Sequence, residues 1–116
     1  MIAVVAGTLM IVVAVGNLLA AGAADRAADR ARAALRHDLA AVSDEMIAGY
    51  PDTRDAIEEV AVAAVADERG EVLGSARHDD EVTVAVQSGF AWQVRCIEAE
   101  LRGDATVLTY VRPRPC

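Results

Sequence analysis

No charged residue occurs before Asp25. The stretch 1–24, MIAVVAGTLMIVVAVGNLLAAGAA, is built almost wholly from Ile, Val, Leu, Met, Ala and Gly. A helix rises about 1.5 Å per residue, so the run would be roughly 36 Å long. That exceeds a hydrocarbon core of about 30 Å. Residues 1–24 therefore read as a transmembrane helix. A secretory signal peptide is a second reading, because Ala21-Gly22-Ala23 has the small-x-small pattern of a cleavage site. Nothing basic precedes the run, however, and its apolar core is long for a signal. A buried core helix is a third reading, but the rest of the chain is too short to enclose a helix that is apolar on every side.

Within the span, Ala3 with Gly7 and Gly16 with Ala20 form small-xxx-small pairs, which let helix backbones approach closely in lipid. Asn17 is the one amide there and could bond to a neighbouring helix. Ala3, Gly7, Gly16, Asn17 and Ala20 are thus the candidate face for helix–helix contact.

From Asp25 the sequence turns Ala- and Arg-rich, with no Gly or Pro until Gly49. Ala28, Ala31, Leu35, Leu39, Val42 and Met46 form one apolar stripe at helical spacing. The expectation is an amphipathic helix over 25–49 that continues the anchor without a break and ends at Gly49 and Pro51. Asp25, Asp29 and Asp38 read as helix-surface charges beside arginines three or four residues away.

Residues 50–116 read as a small antiparallel sheet domain, which makes the whole chain α+β. A short helix from Arg54 to about Glu59 is expected to pass into a strand over 60–66, although Ile57, Val60, Ala61 and Ala64 fit a helix as well. Asp67–Gly70, Arg77–Asp80 and Ser88-Gly89 read as turns. Val82, Val84 and Val86 alternate as a strand with one buried face. A final hairpin joins Ala91–Leu101 to Ala105–Val111. With Gly103 and Asp104 as its loop, Leu101 faces Thr106, Ala99 faces Leu108 and Ile97 faces Tyr110. Trp92 and Val94 alternate in the opposite phase, which calls for a bulge near Cys96.

The only cysteines are Cys96 and Cys116. A pair in a small domain behind an apolar span favours a disulfide outside the cytosol. In the expected register Cys116 would lie about 16 Å beyond Cys96 if extended, so the Pro113-Arg114-Pro115 tail must fold back.

Little in the chain suggests chemistry. His37 and His78 stand alone, without a cysteine or serine at motif spacing. Asp79-Asp80-Glu81 lacks the spaced ligands of a calcium loop, and Arg102-Gly103-Asp104 reads as a turn. No phosphate loop, nucleophile elbow or metal-binding helix motif is present. The expectation is a non-enzyme with no cofactor, no metal and no small-molecule substrate. The net charge of −7 argues against nucleic acid as a partner.

The layout of apolar span, Ala/Arg-rich helix (AADRAADRARAAL), a strand of the DDEVTVAVQ kind and a late cysteine resembles type IV pilins and pseudopilins. Among them it is most similar to the small TadE/TadG-like proteins of tight-adherence pilus systems. It departs from many pilins in having Val5 where they carry glutamate, and no basic leader precedes the span. The resemblance implies a pilin-like structural subunit, or a minor component of a surface filament or secretion apparatus. Its partners would be the membrane and other copies or pilin-like subunits, met through the N-terminal helix. Two alternatives stay open. VADERGEVLGSA resembles the strand-turn-strand of extracellular sensory domains, which would make the chain a tethered sensor or binding module. The chain could also be a secreted domain behind a signal peptide.

Orientation is argued both ways. Arg26, Arg30, Arg32 and Arg36 follow the span closely and by the positive-inside rule would be cytoplasmic. The cysteine pair argues for the outside. The expectation sides with the cysteines, with a basic leader ahead of Met1 holding the N-terminus inside and residues 25–116 extracytoplasmic.

Overall fold

A computed structural model describes residues 2–90, 92–103 and 106–116, with side chains from residue 5 onward. Ala91, Asp104 and Ala105, expected at hairpin positions, and the side chain of Ala3 lie outside the described residues. The protein is α+β, with one long N-terminal helix lying on a four-stranded antiparallel sheet.

Helix α1 (Ile2–Leu39) runs for 38 residues without interruption. Its buried stripe, Ala20, Ala24, Ala27, Ala28, Ala31, Leu35 and Leu39, recurs every three or four positions. It contains Ala28, Ala31, Leu35 and Leu39 of the expected stripe and begins eight residues earlier, while Val42 and Met46 lie beyond the helix. Small alanines make up most of this stripe, and Leu35 and Leu39 are its largest fully buried side chains. The helix does not continue to Gly49 as expected. It stops at Leu39, and after a short turn α2 (Asp44–Ala48) begins. Ser43 caps α2 by accepting a hydrogen bond from the Met46 amide at 3.2 Å, and Asp44 and Glu45 complement its N-terminal dipole. The break needs no Gly or Pro because this cap competes with helix propagation. Past it, Val42 and Ile47 still reach the core.

Helix α3 (Arg54–Val65) corrects the expected strand over 60–66. Ile57, Ala61 and Val65 are buried at four-residue spacing and pack on α1 and the sheet edge. The alternation of Val60, Val62 and Ala64 is misleading, since Val62 is exposed. A 3-10 turn over Ala66–Glu68 ends at Arg69, whose φ of 53° is left-handed. Gly70 then passes so near Val65 that an added Cβ would sit 2.5 Å from that residue's Cβ.

The sheet is a meander of β1 (Glu71–His78), β2 (Glu81–Phe90), β3 (Gln93–Leu101) and β4 (Val107–Arg112). Asp79 and Asp80 form a two-residue hairpin turn, with Asp79 at φ 55°. Val82, Val84 and Val86 are fully buried against the helices, as expected. Ser88-Gly89 is not a turn but the end of β2, where Gly89 pairs with Val94 at close backbone approach. β2 and β3 pair without a bulge, and the irregularity lies in β1 between Val72 and Gly74. The phase puzzle of β3 is resolved by Arg95, which takes the core-facing position before Ile97, leaving Trp92 exposed.

The last hairpin differs from expectation by one residue. Leu101 pairs with Val107, Ala99 with Thr109 and Ile97 with Val111. The Arg102 amide donates to the Thr106 carbonyl, so the loop holds three residues, not two. One extra residue reverses the facing of β4: Thr109 is buried and Tyr110 is exposed.

Candidate functional site

From Val5 to Leu19, α1 is exposed apart from a half-buried Gly16, with a contact at Asn17. Val5, Leu9, Met10, Ile11, Val12, Val13, Val15, Leu18 and Leu19 are all exposed, and together they face every direction around the helix. Soluble monomers rarely expose a contiguous apolar surface of this extent. By length and composition the helix can cross a membrane. At Ala20 the same helix, unbroken, becomes part of the domain core.

Three polar ties fasten α1 to the sheet domain from Asn17 onward. At the junction the Trp92 indole Nε1 donates to Asn17 Oδ1 at 2.7 Å. Further along, Arg95 Nε meets Asp25 Oδ1 at 3.0 Å, while its Nη1 donates to Gln93 Oε1 and to the Val94 carbonyl. Last, Arg32 Nε and Arg36 Nη2 donate to Thr109 Oγ1 at 2.8 and 3.2 Å. Beside the junction lies a recess of about 270 Å³ lined by Ala23, Arg26, Arg30, Asp67, Glu68, Arg69 and Phe90. Arg30 Nε pairs with Glu68 Oε2 at 2.7 Å, and the Arg69 guanidinium lies 5.9 Å from the Phe90 ring centroid. Arg26 folds back along α1 into the space left by Gly22, its Nη1 3.5 Å from where a Cβ would be.

The expected helix–helix face divides under this geometry. Gly7 and Gly16 have open space where a side chain would be. Ala20 is buried within the chain's own fold, and the Asn17 carbonyl oxygen is taken by Trp92. Local sequence pattern does not mark Trp92 or Arg95 as partners of the helix. The one available signal for Arg95 is its phase, two residues before Ile97 on a strict alternation. Asn17 and Trp92 are 75 residues apart, and no local pattern links them.

Cys96 and Cys116 form the expected disulfide, with Cα atoms 4.9 Å apart, and the C-terminal tail folds back to reach it. Cys96 is buried on the sheet face away from α1. On that same face a shallow hollow of about 530 Å³ is lined by Leu73, Gly74, Ala76, His78, Thr83, Ala85, Glu98 and Glu100. His37 and His78 are exposed, His37 beside Asp38. Among the described residues no group of three or more His, Cys, Asp or Glu side chains is arranged to hold a metal ion. Opposite the junction, Tyr50 donates to the Ser75 carbonyl at 2.8 Å and accepts from Arg54 Nε at 3.0 Å. That last bond is the main reason the Arg54 guanidinium has a raised pKa.

No family model matches this chain, and neither a curated protein nor a solved structure does.

Proposed function

We propose that this protein is a membrane-anchored, pilin-like structural subunit or minor component of a surface filament or secretion apparatus. The observation that carries the reading is the division of α1: its large apolar side chains are exposed in every direction from Val5 to Leu19, and from Ala20 it is built into the core. The first part suits lipid or the apolar helices of other copies, and the second fixes a folded domain directly to it. Gly7 and Gly16 keep their open surface for close helix contact in that setting. The Cys96–Cys116 disulfide supports an oxidising compartment for residues 25–116. The continuity of α1 through Ala21-Gly22-Ala23, with Ala20 in the core, supports an uncleaved anchor over a removed signal.

Electron microscopy of purified surface filaments, labelled with an antibody to the sheet domain, tests the proposal. Decorated filaments are the expected result, and filaments that never carry label would remove the subunit reading. A second reading, a tethered binding module, draws support from the hollow on the outer sheet face. It predicts an unassembled protein in the membrane fraction.

A further inference from the structure

The junction between the two halves of α1 has a composition that neither anchoring nor sheet packing requires. Trp92 is 65% exposed and Phe90 is 44% exposed, both at the end of the sheet from which the apolar helix emerges. Tryptophan's apolar ring and N–H donor suit the boundary between hydrocarbon and headgroups. The domain begins to cover α1 at Ala20, so on the membrane-anchored reading, on which this inference rests, the water boundary lies within about a turn of that residue. The Asn17–Trp92 bond places the indole at that level.

Charge at the same level fits the phosphate layer. Glu68 is engaged by Arg30 and Asp25 by Arg95. Asp67 remains in the recess, and Asp29 is exposed further down the helix. Arg26 and Arg69 have no carboxylate partner among the described residues. Arg69 lies over Phe90, and Arg26 reaches back along the helix to Gly22. Two guanidiniums without a carboxylate partner share the recess with the exposed Phe90, and the exposed Trp92 lies at the same end of the sheet, so the foot of the apolar helix offers both groups that an anionic bilayer face engages.

We propose that Phe90 and Trp92, with Arg26 and Arg69, seat the domain on the headgroup layer of anionic phospholipid and hold the sheet against the bilayer. The aromatic rings enter the interface, and the guanidiniums bond to lipid phosphate.

Trp92 is the only tryptophan and reports its own depth. The full chain is reconstituted into vesicles of phosphatidylcholine with phosphatidylglycerol, and quenching by nitroxide-labelled lipids is measured. A nitroxide near the headgroup should quench Trp92 more strongly than one at the acyl terminus. Labelled phosphatidylglycerol should associate about fivefold more strongly than labelled phosphatidylcholine, the preference expected of a basic residue at an anionic surface. Arg26→Gln with Arg69→Gln should bring that ratio to about one while leaving the depth unchanged. Soluble glycerol phosphate should not compete, and competition would overturn the lipid assignment. If the chain floats with the vesicles but Trp92 escapes the shallow quencher, or the wild-type ratio is about one, this inference fails and the anchoring reading stands. If the chain does not float with vesicles at all, the anchoring reading fails and takes this inference with it.

Discussion

Arg95 has only 9% of its side chain exposed, whereas Asp25 across from it is 66% exposed. The pair is therefore lopsided: water screens the carboxylate but not the guanidinium. Asp25→Ala leaves a buried cation with Gln93 and Val94 as its remaining acceptors and should destabilise the domain by about 1 kcal/mol. Arg95→Met replaces the buried ion with an apolar chain of similar reach and should be neutral or stabilising. Urea denaturation of the purified chain in detergent, followed by circular dichroism, compares the two. A larger loss for Arg95→Met than for Asp25→Ala would show that the guanidinium contributes more than it costs to bury. Tyr50→Phe removes the hydroxyl that bridges Ser75 and Arg54 and should cost about 1 kcal/mol in the same assay.

Helix α1 and the sheet meet along a stripe whose largest members, Leu35 and Leu39, are fully buried. Leu39→Asp should cost about 3–5 kcal/mol, a loss comparable to the whole stability of a small domain. An unchanged melting temperature would show that the helix does not pack there. The disulfide joins β3 to the tail across 20 residues, so Cys96→Ser should lose about 3 kcal/mol and non-reducing mass spectrometry of the wild type should find no free thiol. The helix, the buried strand and the disulfide are legible in the sequence because each leaves a repeating or paired mark: the stripe from Ala28 to Met46, of which α1 holds the part to Leu39, the Val82-Val84-Val86 alternation and the two cysteines. Elsewhere the marks are ambiguous. Val60 to Ala64 satisfies both periods, and only the position of α1 decides that Ala61 and Val65 point inward. The break after Leu39 lies in alanine-rich sequence and is signalled only by Ser43-Asp44-Glu45. Gly89 looks like a turn residue but serves a close strand approach. The junction itself is not legible, because Asn17 and Trp92 meet only after the sheet has folded onto the helix.

The molecule is 68 Å long and about 21 Å across. On the anchored reading, protease added to intact cells or spheroplasts should remove the sheet domain, consistent with residues 25–116 outside the cytosol. Protection lost only on lysis would instead support the cytoplasmic side favoured by the arginines after the span. Whichever side it occupies, the domain has no linker, since the helix that leaves the sheet is the one exposed up to Leu19. A change in the tilt of that segment is therefore passed to the sheet domain through an unbroken helix. A tensile load applied at the helix tip along its axis would be borne in shear by the Asn17, Asp25 and Arg32–Arg36 ties at once. Bonds loaded together resist far more force than bonds peeled in turn, so a pull on the helix meets all three ties rather than the weakest first.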